Sequence, residues 1–214
     1  MICVSIAESD LEGCLKAMHG LEMAEIRLDK LNEPKDEIVK KIFTQPLKLI
    51  ATCRPEAGDD ERRKKILFTA IDNGAAFVDI EVDCRDDYKK AIVERAKKKD
   101  CKVIISFHDH KKTPPSAELE QIVDWCFQSG ADIAKIACMV NSNKDNAKLL
   151  GLLDSERNMV VIGMGVKGRI TRVIAPLLGS VFTFAASEKG KETADGQLTK
   201  NEIEQLMQQI DVIK

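Results

Sequence analysis

Apolar positions along this 214-residue chain fall into eight short runs that recur about every 25 residues. They are residues 2–6 (ICVSI), 23–28 (MAEIRL), 47–52 (LKLIAT), 76–80 (AFVDI), 102–106 (KVIIS), 132–137 (DIAKIA), 159–164 (MVVIGM) and 181–184 (VFTF). Between them, apolar residues return at three- and four-residue spacing over 36–43, 59–73, 86–100, 116–129, 143–157, 171–178 and 199–213, and more weakly over 10–18. Thr199 with Glu202 forms a capping-box pattern, Gly74 and Gly130 stand where two helices should end, and Pro114 and Pro115 punctuate the loop before another. Strict alternation of strand and helix implies parallel strands with right-handed crossovers. Eight such units favour closure into a (β/α)8 barrel. The expected fold is therefore one α/β domain over residues 1–214, lean beside the typical length of about 250 residues.

In such a barrel the active site is built at the C-terminal ends of the strands. The reactive side chains of this chain collect there: Glu25 with Arg27, Arg54, Asp79 with Glu81, Ser106 with His108, Lys135, Met164 and Phe184. Lys135 is the sharpest candidate. Its run, DIAKIA, is apolar on both sides, and a parallel barrel has no edge strand from which a lysine could reach water. Desolvation and nearby cations lower an ammonium pKa and free the amine as a nucleophile toward carbonyls. His108 is a candidate general acid/base; with His110 it also forms a His-x-His pair that a metal could use, although the other rim residues suit a divalent ion poorly.

Period-two alternation sends Asp79 and Glu81 to one side of their strand, and Glu25 and Arg27 to one side of theirs. Glu81 is expected to orient His108, Glu25 to pair with Arg27 or with substrate hydroxyls, and Asp79 to join an ion-pair layer across the barrel. The GxGxxG string at 163–168 follows a strand, but too little chain remains for a dinucleotide-binding unit. Arg169 and Arg172, just beyond it, are better anion ligands. Gln197, in the last loop, is placed to project a neutral amide inward.

The formal net charge is −2 and the basic residues are dispersed, which argues against a nucleic-acid partner. No apolar run approaches the roughly 18 residues of a membrane span. The seven cysteines are odd in number and contain no CxxC, so neither a disulfide framework nor a zinc ribbon is expected. The first residues enter a strand directly, and the chain reads as a reduced, cytoplasmic protein. These residues specify a carbonyl substrate carrying an acid group, without naming the acid. A Schiff-base aldolase acting on a sugar phosphate, a metal-dependent hydrolase using His108 and His110, and a non-catalytic binding barrel remain open alternatives.

The segments Glu25-Ile26-Arg27-Leu28-Asp29, Thr52-Cys53-Arg54, Asp79-Ile80-Glu81, Ser106-Phe107-His108-Asp109, the Lys135 run, Arg169-Ile170-Thr171-Arg172, Phe182-Thr183-Phe184 and Gly196-Gln197 together resemble the type I 3-dehydroquinate dehydratases of the shikimate pathway. The resemblance spans nearly the whole chain in family order. It implies a cofactor-free, metal-free syn dehydration of 3-dehydroquinate to 3-dehydroshikimate by a hydro-lyase, with an imine at Lys135, acid/base chemistry at His108 and orientation of His108 by Glu81. It further implies that Arg172 clamps the substrate carboxylate, that Glu25, Arg27, Arg54, Thr193 and Gln197 bind the polar substrate, and that Met164 and Phe184 form apolar walls. A homodimer is implied as well. Two departures stand out. The N-terminal hairpin that often covers the barrel floor in this family is not expected here, and Thr193 and Asp195 stand where serine and proline are usual.

Overall fold

The computed structural model describes residues 1–55 and 58–211. Eight strands, β1 (Ile2–Ile6), β2 (Met23–Arg27), β3 (Lys48–Thr52), β4 (Phe77–Glu81), β5 (Lys102–Asp109), β6 (Ile133–Met139), β7 (Met159–Met164) and β8 (Thr183–Ala186), alternate with eight helices. The helices are α1 (Leu11–Met18), α2 (Asp36–Phe43), α3 (Asp60–Asp72), α4 (Asp86–Lys97), α5 (Ser116–Gln128), α6 (Asn143–Gly151), α7 (Arg169–Leu177) and α8 (Lys200–Asp211). The strands form one parallel sheet in the order β7-β6-β5-β4-β3-β2-β1-β8. The remaining seam, between β8 and β7, is bridged where the Val181 N–H donates to the Met159 carbonyl at 2.9 Å. The result is the expected (β/α)8 barrel, nearly closed.

Each helix lies on the barrel through one stripe. In α2 the buried residues are Val39, Ile42 and Phe43, at the spacing that puts them on one face. Gly74 and Gly130, at φ +106° and +98°, end α3 and α5 in the left-handed conformation that lacks a Cβ penalty. At the start of α8, Thr199 and Glu202 make the reciprocal capping bonds, the Thr199 N–H to Glu202 Oε2 at 2.8 Å and the Glu202 N–H to Thr199 Oγ1 at 3.3 Å. The last two positions of the expected 199–213 helix lie outside the described residues.

Several elements end elsewhere than expected: β8 runs over Thr183–Ala186 rather than 181–184, β6 reaches Met139 rather than residue 137, and α4 ends at Lys97 rather than residue 100. The helix expected over 143–157 stops at Gly151, because Leu152, Leu153 and Asp154 donate to carbonyls three residues back and tighten the chain into turns. Strand β5 continues three residues past Ser106 because its ladder with β6 persists through His108↔Ala137 and Asp109↔Cys138. His108 therefore sits on a strand, with the inward parity of Ser106.

Inside the barrel, Cys3, Met23, Ile50, Phe77, Ile104, Ile133 and Phe182 belong to an apolar layer below the polar rim. Phe77 and Phe182 meet edge to face at 6.0 Å, and Met23 and Phe182 are each 1% exposed. Side chains of the barrel itself thus fill its lower end.

Candidate active site

Above the apolar layer, parallel register brings the polar residues level. Thr52 pairs with Asp79, Glu81 with Ser106, and Ser106 with Lys135. Lys135 on β6 is buried, and its Nζ lies 4.1 Å from the Phe184 ring centroid on the one side. On the other side Nζ donates to Asp79 Oδ2 at 2.9 Å and stands 3.9 Å from Glu25 Oε1. Lys135 is thus removed from water and held between an aromatic face and two carboxylates.

Asp79 is the hub of the layer. Its Oδ1 accepts from Arg54 Nη1 at 3.0 Å and from Ser106 Oγ at 2.7 Å, while Oδ2 takes Lys135. Burial pushes its carboxyl pKa up, but Arg54 and Lys135 overcome that and hold it well below the usual carboxylate range. The ion-pair layer expected of Asp79 is thus present and has Lys135 as a member.

His108, one β5–β6 step beyond Lys135, has its imidazole pKa pushed well below 6.5, first by burial and then by the neighbouring cations Arg54 and Lys135. It is neutral near pH 7, as a general base requires. Its ring stacks on that of His110 at 6.2 Å.

Across the barrel, Arg172 on α7 is 1% exposed. Nη1 donates to the Phe184 carbonyl at 3.2 Å and Nη2 to the Asp195 carbonyl at 3.5 Å, while Nε has no partner. Its pKa falls to about 10, through burial and the nearby Arg169. This buried guanidinium faces the cavity with no carboxylate partner among the described residues.

Of the residues singled out in the sequence, Glu25, Arg27, Arg54, Glu81, His108, Lys135, Met164, Arg172, Phe184, Thr193 and Gln197 line one cavity of about 350 Å³, whereas Asp79, Ser106 and Arg169 are not among its lining residues. Its volume suits a small polar metabolite. The type I 3-dehydroquinase family profile matches residues 2–214. The 3-dehydroquinate dehydratase of Methanocaldococcus jannaschii is 35% identical over 99% of this chain and 100% of its own length. That of Methanosarcina mazei is 34% identical over 96% of this chain and 92% of its own. The chain belongs to the type I 3-dehydroquinase family. It is accordingly an enzyme of the hydro-lyase class. The type I 3-dehydroquinate dehydratase of Clostridium difficile shares the fold, with a TM-score of 0.88 at 24% identity over 100% of this chain and 92% of that one.

Within this type I 3-dehydroquinase, several partners differ from those expected. Glu81 does not hold His108: its Oε1 accepts from Arg54 Nη1 at 2.5 Å and its Oε2 from Arg63 Nη2 at 3.2 Å, because two buried guanidiniums outcompete a neutral imidazole for one carboxylate. Glu25 does not pair with Arg27. Ser5 and Thr52 hydroxyls donate to its two oxygens at 2.8 Å each, and Arg27 instead forks onto Asp29 at 3.0 and 2.7 Å. Arg169 lies outside the cavity, on the far side of the 193–197 loop. Among the described residues no group of three or more His, Cys, Asp and Glu side chains is arranged to hold a metal ion, so the His108–His110 pair lacks further ligands. No helix among them is long and apolar enough to cross a membrane.

The glycines of the GxGxxG string pack backbone on backbone. A Cβ on Gly168 would meet the Gly163 carbonyl at 2.4 Å, and one on Gly196 would meet Gly165 at 2.2 Å. They seat the last loop against the β7 end. That loop folds inward, with Gln197 Oε1 accepting from the Thr193 N–H at 2.7 Å and Nε2 reaching Ser5 Oγ at 3.5 Å. Ser5, a cavity-lining residue, was left unmarked by the sequence, and Thr52, which holds Glu25, was named only within its segment. A polar side chain at or next to the end of the β1 and β3 runs was the available signal.

Proposed function

We propose that this enzyme dehydrates 3-dehydroquinate to 3-dehydroshikimate through an imine on Lys135, with His108 as the acid/base. The observation that carries this is the triangle of Lys135, His108 and Arg172 around one cavity: a buried amine, a neutral imidazole and an unpaired buried cation. Arg172 takes the substrate carboxylate, which fixes the ring across the cavity. The Lys135 amine adds to the ring ketone and water leaves as the imine forms. The imine then acts as an electron sink. His108 removes a proton from the carbon next to the imine, and the electron pair moves into the ring as the hydroxyl departs. A proton returned by His108 on the same face makes that hydroxyl leave as water, a syn elimination. Hydrolysis of the conjugated imine releases the enone and restores the amine, and no cofactor enters the balance.

Asp79 and Glu25 stabilise the positive charge that the protonated imine carries, and the Phe184 ring covers the same nitrogen. Met164 closes the apolar wall, while Glu25, Arg27, Arg54, Thr193 and Gln197 surround the hydroxyl-bearing side of the ring. Glu81 acts from behind Arg54. Formation of the conjugated product is followed by ultraviolet absorbance for wild type, Lys135→Met and His108→Asn. Loss of turnover in both variants with folding intact supports the assignment; a Lys135→Met protein that keeps wild-type kcat overturns it.

A further inference from the structure

The residues of the proposed reaction do not explain why α3, outside the barrel, sends a guanidinium into the rim. Arg63 is 3% exposed. Its Nε donates to the Cys53 carbonyl at 3.0 Å, its Nη2 to Glu81 Oε2 at 3.2 Å and its Nη1 to Asp60 Oδ1 at 3.2 Å, and its plane lies 5.0 Å from the Tyr88 ring centroid. Cys53 is the residue before Arg54, and Glu81 is the carboxylate that clamps Arg54 Nη1 at 2.5 Å. Arg63 therefore braces Arg54 twice, through the main chain entering it and through its principal counter-ion. Arg54 in turn shares Asp79 with Lys135, one carboxylate oxygen each.

We propose that Arg63 is a positioning residue for the imine-forming lysine, acting through Glu81 and Arg54 to fix how Asp79 is divided between Arg54 and Lys135. The charges alternate without a break from Asp60 through Arg63, Glu81, Arg54 and Asp79 to Lys135. Every acidic member inside the rim touches two cations or two donors, so releasing one link re-sorts the next. With Arg63 gone, Glu81 Oε2 loses its guanidinium, Glu81 turns, and Arg54 settles on Asp79 at the expense of Lys135. Misplacement on the order of 1 Å at a reacting group costs up to about a hundredfold in rate. A planar fork is needed here, because the Cys53 carbonyl and Glu81 are held at once by one rigid group, which a lysine cannot imitate.

The inference rests on Lys135 as the imine-forming residue, and the test separates the two. Arg63→Met, Arg63→Lys, Glu81→Gln and Arg63→Met/Glu81→Gln are compared with wild type for kcat, KM, thermal midpoint and borohydride trapping with 3-dehydroquinate. Arg63→Met is expected to lower kcat about 10- to 100-fold while KM moves less than about threefold, since Arg172 is untouched. Arg63→Lys recovers part of that loss. In the Glu81→Gln background, Arg63→Met is expected to add less than about twofold, because both act on one path. If Arg63→Met does not fold, Arg63→Lys decides, with a drop in kcat of several fold expected. Unchanged kcat in a folded Arg63 variant, or effects that multiply in full with Glu81→Gln, overturns the role of Arg63 while trapping of wild type still stands. Wild type that turns over substrate but cannot be trapped overturns the Lys135 assignment instead.

Discussion

Asp79 Oδ2 lies 2.9 Å from Lys135 Nζ, with both side chains buried and Arg54 on the other carboxylate oxygen. One carboxylate thus faces two cations in the barrel interior. Asp79→Asn is expected to cost about 3–5 kcal/mol of stability near neutral pH, because it leaves Lys135 with only Glu25 at 3.9 Å and Arg54 with only Glu81 as counter-ion. The native carboxyl pKa lies below its ordinary 3.8, so its stabilisation is present above that pH and is lost as pH falls below it. Urea unfolding of wild type and Asp79→Asn at neutral and acid pH should show the gap narrowing only below pH 3.8. A gap that narrows between pH 7 and 5 would contradict the assignment.

His108 titrates in a different window. Its folded pKa lies below 6.5, so the unfolded chain takes up a proton first and stability falls as pH drops from 6.5 toward the folded value. The slope attributable to one such group approaches 1.36 kcal/mol per pH unit. His108→Asn should remove that part of the slope and lower kcat by about 10²- to 10⁴-fold. An unchanged pH slope in the variant would show that the imidazole is not held neutral by its surroundings.

Arg172 is expected to trade stability for binding. Arg172→Met removes a buried cation whose Nε has no partner, so thermal stability should stay level or rise. Losing charged hydrogen bonds to a substrate carboxylate costs about 1.5–3 kcal/mol, roughly 10- to 150-fold in kcat/KM. A large loss of stability with unchanged kcat/KM would mean that this arginine serves the fold alone.

The close contact between the Gly163 and Gly168 backbones makes a steric prediction. Gly168→Ala places a Cβ 2.4 Å from the Gly163 carbonyl, and backbone cannot move aside as a side chain would. A cost of about 1–3 kcal/mol is expected. Gly151→Ala, with nothing within 4 Å of its Cβ, is the control and should be neutral or stabilising in thermal melts.

Much of this was legible before the fold was known, for definite reasons. Period-two and period-3.6 patterns mark where strands and helices lie, and the barrel then dictates that strand ends converge. That is why Lys135, His108 and Arg172, far apart in sequence, could be placed around one cavity. Pairings were less legible because they depend on register and on side chains crossing between layers. Glu25 finds Ser5 and Thr52 only once β1, β2 and β3 are aligned, and Arg27 turns to Asp29 in the short 3-10 turn Leu28–Lys30 that follows its strand. Arg63 belongs to the basic run 62–65 on a helix, a pattern whose simplest reading from sequence is a solvated face. Its burial comes from the way α3 lies against the β3 and β4 ends.

The most direct measurement is intact-protein mass spectrometry after incubation with 3-dehydroquinate and then borohydride. The expected result is one reduced adduct, mapped to Lys135 and absent from Lys135→Ala. Unmodified protein that nevertheless converts the substrate, or an adduct on another lysine, would contradict imine chemistry at Lys135.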